Sequence, residues 1–202
     1  MLFIEPPQDD TSIKREGDFI VSEAQIGTTR LHTGKLLNLD LDEVRFPDGS
    51  TGKLEMVRHP GASAVVPLLS DPEGDDPQVL LLRQYRYAAD GYLFEIPAGR
   101  LDNGEEPDRC AHRELQEETG CTAARMELLT TMFTTPGFTD ERIHLFLATG
   151  LTRGEAHREK DEFAETVILR LSQALEMIKT GEIKDGKTIV GLLFVAGYRS
   201  GQ

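Results

Sequence analysis

Glu114, Glu117 and Glu118 lie three and four positions apart in a segment opened by Pro107 and closed by Gly120. At roughly 100° of helical turn per residue, the three fall within an arc of about 100°, so one helix face carries three carboxylates. Like charges at this spacing cost an isolated helix roughly a few tenths of a kcal/mol per pair, a penalty that a cation against the face reverses. Arg113 supplies one positive charge beside them. A hard divalent cation supplies more, because carboxylate oxygens suit Mg²⁺ or Mn²⁺ and a partly hydrated Mg²⁺ can also bind phosphates. Taken alone, the cluster reads better as a solvated acidic face, and the surroundings must decide.

The elements that would position these acids are legible around them. Pro107 suits the first helical position and Gly120 the residue just past the last turn, which predicts a helix over 107–119. Upstream, Ala64 to Leu69 reads as a buried strand, Asp71 to Asp76 as an acidic loop, Val79 to Tyr85 as a second strand, and Leu93 to Ile96 as a third, broken at Pro97. Downstream, Ile143, Leu145 and Leu147 alternate on a further strand. Ser172 to Thr180, stopped by Gly181, and Lys187 to about Arg199 read as two closing helices. Before all of these, alternation from Leu37, turn chemistry at Pro47-Asp48-Gly49-Ser50 and renewed alternation from Lys53 to Val57 predict a small antiparallel sheet. The expected organisation is a loose arm over 1–12, a sheet domain over 13–58, and a domain of the α/β (α+β) class over 59–202.

Composition narrows the function classes. In 202 residues, 39% hydrophobic content suffices for a proper core. A net charge of −13 repels nucleic-acid backbones and anionic membranes, so neither is an expected partner. If the ligand is itself a phosphate, local cations must overcome that field. No apolar run is long enough to cross a bilayer and the first residues lack a basic leader, so a cytoplasmic location is expected. Cys110 and Cys121 have no histidines at zinc-finger spacing and read as small core residues, with His112 and His144 structural as well.

Gly99 is followed after five residues by Glu105, and Glu105 after seven by Arg113-Glu114-Leu115-Gln116-Glu117-Glu118-Thr119-Gly120-Cys121. This resembles the Nudix box, whose seven fixed residues are all present at the right spacing. Cys121 stands where a bulky aliphatic is usual, a departure that touches packing rather than metal binding. The resemblance, extending over about 59–202, implies the Nudix fold, a mixed sheet sandwiched between helices. It also implies Glu114 and Glu118 as main metal ligands, Glu117 assisting, the Ala98 carbonyl as a further ligand, and Glu105 and Arg113 in support. The implied reaction is attack of water on a diphosphate phosphorus, with more than one Mg²⁺ or substituting Mn²⁺ neutralising charge.

Pro136 lies sixteen residues beyond Gly120, within Thr135-Pro136-Gly137-Phe138-Thr139-Asp140-Glu141. By itself Pro136-Gly137 is also an ordinary turn. Together with Arg83-Gln84-Tyr85-Arg86-Tyr87 and Glu95-Ile96-Pro97-Ala98-Gly99, it resembles the ADP-ribose pyrophosphatase subgroup. That resemblance implies AMP and ribose 5-phosphate as products and a loop glutamate that deprotonates the attacking water. Glu162 is the expected base, with Glu159 and Glu165 as rivals. Arg86 is expected near the nucleotide and Glu141 near the terminal ribose, with Gly99 and Pro136 completing the substrate contacts. The subgroup pattern further implies a homodimer that exchanges N-terminal sheets, with Phe19 or Phe46 as the aromatic against adenine. Two other readings are a hydrolase of another nucleoside diphosphate sugar, such as GDP-mannose, and a non-catalytic ADP-ribose sensor on the same fold. The complete set of box acids speaks against the sensor.

Overall fold

The computed structural model describes residues 14–16, 19–21, 23–157 and 163–200. They form two compact units. The first takes the described residues up to Pro60 together with Phe133–Glu141, and the second takes Gly61–Met132 and the residues from Arg142 onward.

In the first unit, β1 (Lys14–Glu16) and β2 (Phe19–Val21) form an antiparallel ribbon. β3 (Gln25–Thr33), β4 (Asn38–Arg45) and β5 (Thr51–Arg58) form an antiparallel three-stranded sheet, which realises the alternation read from Leu37 onward. Its β4–β5 turn closes because Asp48 Oδ1 accepts the Ser50 N–H at 2.9 Å while Gly49 takes a φ of +84°. Alternation puts Asp40 and Asp42 on one face of β4, both buried. Arg58 bonds both of them and reaches Asp140 at 3.2 Å, and Arg30 adds a second guanidinium to Asp40. Gln25 and Thr28 donate to Asp42 at 3.0 and 2.8 Å, so these buried acids are well supplied with donors.

The second unit comprises β6 (Ala62–Pro67), β7 (Gln78–Arg86), a short 3-10 turn (Tyr87–Ala89), β8 (Gly91–Glu95), β9 (Ala98–Arg100), α1 (Pro107–Thr119), β10 (Cys121–Phe133, its last residue grouped with the first unit), β11 (Arg142–Arg153), β12 (Ala164–Arg170), α2 (Leu171–Thr180) and α3 (Gly186–Ser200). One sheet runs β10-β11-β6-β9 and is mixed, since β6 lies parallel to β11 and antiparallel to β9. The other runs β12-β7-β8 and is antiparallel. β6 is buried on both faces, as its continuous Ala-Ser-Ala-Val-Val run requires. Ala64 and Val66 belong to the core that Leu171, Ala174, Leu192 and Val195 of α2 and α3 complete. Val65 belongs to a second core with Ala111 and Leu115 of α1 and Phe146 of β11. The sheet is thus sandwiched between helices. Gly191 lets α3 close on β6, because a Cβ there would stand 2.8 Å from Val66 Cγ2.

β1, β2, β3, β9, β10 and β12 escape sequence reading as separate strands. β10 runs for thirteen residues with mostly half-exposed side chains and no clean alternation, and β12 follows directly on an acidic stretch. β6 spans Ala62–Pro67 rather than Ala64 to Leu69, because beyond Pro67 only an isolated bridge from Leu68 to Val79 continues the pairing. β8 starts at Gly91, two residues ahead of the expected Leu93.

Candidate active site

α1 spans the expected residues. Glu106 precedes it in an extended conformation, Pro107 fills its first turn, and Gly120 ends it at φ +74° with its N–H on the Gln116 carbonyl at 2.8 Å. Glycine is demanded there twice over, since a Cβ would also stand 2.6 Å from the Gly154 carbonyl oxygen. Ala111 and Leu115, one turn apart, seat the helix on Val65 and Phe146. The same seating draws two acids inward: Glu114 is 8% exposed and Glu118 4%, whereas the Glu117 side chain stays at 46%.

Arg113 organises the acids. Its Nε and one Nη donate to the two oxygens of Glu105, each at 2.9 Å, in the bidentate geometry that suits guanidinium and carboxylate. The other Nη donates to Glu114 at 2.5 Å and to Glu117 at 3.1 Å. The bonds from Arg113, aided by the Asp102 N–H, hold the Glu105 carboxyl down at about 2 despite its partial burial. Glu105, and then Glu114 and Glu117, push the guanidinium further above its already high range. Cys110, under this cluster on α1, is buried, and burial together with Glu105 and Glu114 pushes its thiol up to about 12. It is accordingly an inert core residue.

The chain between β8 and α1 meets the helix at two residues of β9. Ala98 donates its N–H to Glu118 Oε2 at 2.9 Å. Gly99 lets the Glu114 carboxylate sit directly against the backbone, because a Cβ built there would fall within that carboxylate and displace it. The spacing from Gly99 to Glu114 is therefore a steric fact about how closely a buried acid approaches β9. Just upstream, Arg86 holds Glu95 with two bonds of 2.8 Å, and Lys187 of α3 reaches the same carboxylate at 2.7 Å. Burial alone would raise the Glu95 carboxyl, but the two cations hold it below the usual range. Glu95 and Lys187 were not singled out from sequence. A carboxylate inside the apolar run Leu93-Phe94-Glu95-Ile96 is a signal for the first, whereas the second is brought in from 92 residues away. On the same face of β7 as Arg86, buried Gln84 presents an Oε1 with no hydrogen-bond partner among the described residues.

The second unit thus brings together Arg86, Ala98, Gly99, Glu105, Arg113, Glu114, Glu117 and Glu118. Pro136, exposed in a turn, and Glu141 belong to the first unit, where Glu141 accepts from Thr134 at 2.9 Å and pairs with His59 at 3.4 Å. Of the loop glutamates, Glu159 and Glu162 lie outside the described residues, and Glu165 is spent on an exposed pair with Arg83 at 3.0 Å. Phe46 packs on Gly52 within its own hairpin, and the Phe19 side chain lies outside the described residues. Among the described residues no three acidic, histidine or cysteine side chains converge tightly enough to grip an ion as they stand, Arg113 being the counter-charge that three of the acids share. Nor, among them, is any helix long and apolar enough to cross a membrane.

Comparison with known proteins agrees with this geometry. The NUDIX domain model matches residues 59–190. The chain is 39% identical to the methanol dehydrogenase activator of Bacillus methanolicus, over 87% of this chain and 94% of the relative. It is 37% identical to the ADP-ribose pyrophosphatase of Bacillus subtilis, over 87% of this chain and 93% of that one. The crystal structure of an ADP compounds hydrolase shares the fold, with a TM-score of 0.75 at 20% identity across 88% of this chain and 94% of that one. With the box acids clustered on one helix against a glycine whose backbone the Glu114 carboxylate overlies, and with the domain model covering that helix and both sheets, the chain belongs to the Nudix family.

Proposed function

We propose that this protein hydrolyses the diphosphate bond of ADP-ribose to AMP and ribose 5-phosphate in a Mg²⁺-dependent reaction, for which Mn²⁺ can substitute. The observation that carries the reading is the clustering of acids around Gly99, where Glu105, Glu114 and Glu117 share the guanidinium of Arg113 and buried Glu118 accepts the Ala98 N–H. Two of the four are buried, where carboxylates are costly unless charge and hydrogen bonds compensate them. An all-oxygen donor set of this kind fits a hard divalent cation. Glu114 and Glu118, with Glu117 and the Ala98 carbonyl, would hold more than one such ion. Bound there, Mg²⁺ supplies neutralisation of charge on the diphosphate oxygens and a lowered pKa for water.

The chain's own residues supply the rest. Glu105 locks Arg113 with two bonds, and Arg113 in turn fixes the directions of Glu114 and Glu117. Arg86, fastened to Glu95 on one edge and 44% exposed, keeps a guanidinium turned to bond phosphate or stack on adenine. Glu162 takes the proton of the attacking water, Glu141 accepts from hydroxyls of the terminal ribose, and Pro136 shapes the substrate loop. The choice of ADP-ribose is supported by the likeness to an ADP-ribose pyrophosphatase along nearly the whole of both chains. The protein acts in the cytoplasm as a homodimer exchanging N-terminal sheets. Exposed Ile26, Leu31 and Leu54 on the first unit's sheet support that assembly.

The test is to incubate the protein with Mg²⁺ and a panel of nucleoside diphosphate sugars, and to compare kcat/KM for ADP-ribose and GDP-mannose. AMP from ADP-ribose, lost in Glu118→Gln, is the expected result. A large preference for the guanine sugar replaces the substrate, and binding of ADP-ribose with no turnover under Mg²⁺ or Mn²⁺ replaces the enzyme with a sensor.

A further inference from the structure

The span Ile96–Pro97–Ala98 is pinned at three successive places. Ala98 N–H is held by Glu118 of α1, and the Pro97 carbonyl accepts the Val65 N–H of β6 at 2.9 Å. The third pin is a side chain far from the acids: Thr188, in the first turn of α3, accepts the Ile96 N–H on its Oγ1 at 2.9 Å. Thr188 and Ile96 are both fully buried, so no water competes for this amide. The hydroxyl has one proton, and it goes to Asp185 Oδ2 at 2.6 Å. That carboxylate also caps the helix by accepting the Thr188 N–H at 2.9 Å. With its proton committed to Asp185, Thr188 has only lone pairs to offer Ile96, and the direction of the bond is settled.

We infer that Thr188, oriented by Asp185, is a positioning residue that sets the segment from Ile96 into β9 at the distance from Glu114 and Glu118 needed to hold a divalent cation. The inference rests on the reading of these acids as a metal site. Proline at 97 has no N–H to give, so Ile96 is the one backbone donor of this segment upstream of β9, and losing its acceptor frees the segment at its upstream end. Valine at 188 keeps the volume and removes the acceptor, leaving a buried N–H without a partner.

The test is binding of Mn²⁺ to the apo protein, followed by the electron paramagnetic resonance signal of the free ion, with kcat against Mg²⁺ concentration alongside. Thr188→Val is expected to weaken Mn²⁺ binding by about tenfold, in the range for residues that orient metal ligands, while kcat at saturating metal stays near that of the parent. Thr188→Ser, which keeps the hydroxyl, is expected to restore binding. Asp185→Ala disturbs the hydroxyl from outside the core and is expected to weaken binding by about threefold, and it decides the matter if the valine variant does not fold. Unchanged Mn²⁺ affinity in whichever of these folds overturns the inference, as does a serine variant as weak as the valine one. If Glu118→Gln binds Mn²⁺ as tightly as the parent protein, the metal reading itself falls, an outcome distinct from failure at Thr188.

Discussion

Each unit of this molecule surrounds one arginine with three carboxylates, and the two clusters differ in what is left over. In the first unit Arg58 meets Asp40, Asp42 and Asp140, and Arg30, Gln25 and Thr28 supply further donors to the two buried aspartates. In the second, Arg113 meets Glu105, Glu114 and Glu117, and a fourth acid, Glu118, is buried one turn along the helix from Glu114. The first cluster sets two guanidinium groups against three acids, while in the second the acids crowd on one helix face around Arg113, with Arg86 acting on Glu118 only through its field. A β-strand spreads its acids along a face where neighbouring strands can deliver partners. A helix stacks them one above the other and concentrates the field. The first arrangement holds a fold together, and the second is the one proposed to take a cation.

That contrast can be broken or sharpened by substitution. The largest effect is expected at Glu118→Gln, with kcat reduced about 10³-fold, equivalent to about 4 kcal/mol of barrier. Its thermal midpoint without metal should not fall, because removing one of several like charges relieves repulsion. A clear loss of apo stability would place Glu118 with the structural acids. Next comes Arg58→Met, which leaves Asp40 and Asp42 buried against an apolar side chain and should cost about 3 kcal/mol in urea unfolding. A destabilisation below about 1 kcal/mol would mean that the strand cluster is no more than a surface pair. Gly99→Ala is expected to lower kcat about 10²-fold by displacing the Glu114 carboxylate, with little change in unfolding midpoint.

The smallest effect is a pH dependence. The Glu105 carboxyl sits at about 2 in the folded protein against an ordinary 4.5, so it binds fewer protons folded than unfolded. Its contribution to stability is complete above about 4.5 and is lost as the pH falls towards about 2. Glu105→Gln should therefore flatten the decline in thermal midpoint over that window, and an unchanged slope would assign the acid sensitivity to other groups, such as Asp40.

What the sequence disclosed and what it withheld follow from the range of the interactions. α1 was legible to the residue because Pro107 and Gly120 act within one turn of its ends. The meeting of Gly99 with Glu114 was legible as spacing, though its cause, the absence of room for a Cβ, is visible only in three dimensions. Lys187 on Glu95, Thr188 on Ile96 and Arg58 on Asp140 join residues 82 to 92 positions apart, and no local pattern announces them. β10 and β12 carry half-exposed faces with weak alternation, so the period that betrays a strand is missing.

The parallel pairing of β6 with β11, Ala62 opposite Ile143 and Leu145 opposite Ala64, bears on how the protein folds. β9 and the whole of α1 lie inside the chain segment that this pairing closes. Joining distant strands pays its loop entropy before any contact is gained, which makes the step slow. Refolding from denaturant should therefore recover helical signal early and turnover late, with catalysis returning only in the phase that zips these two strands together.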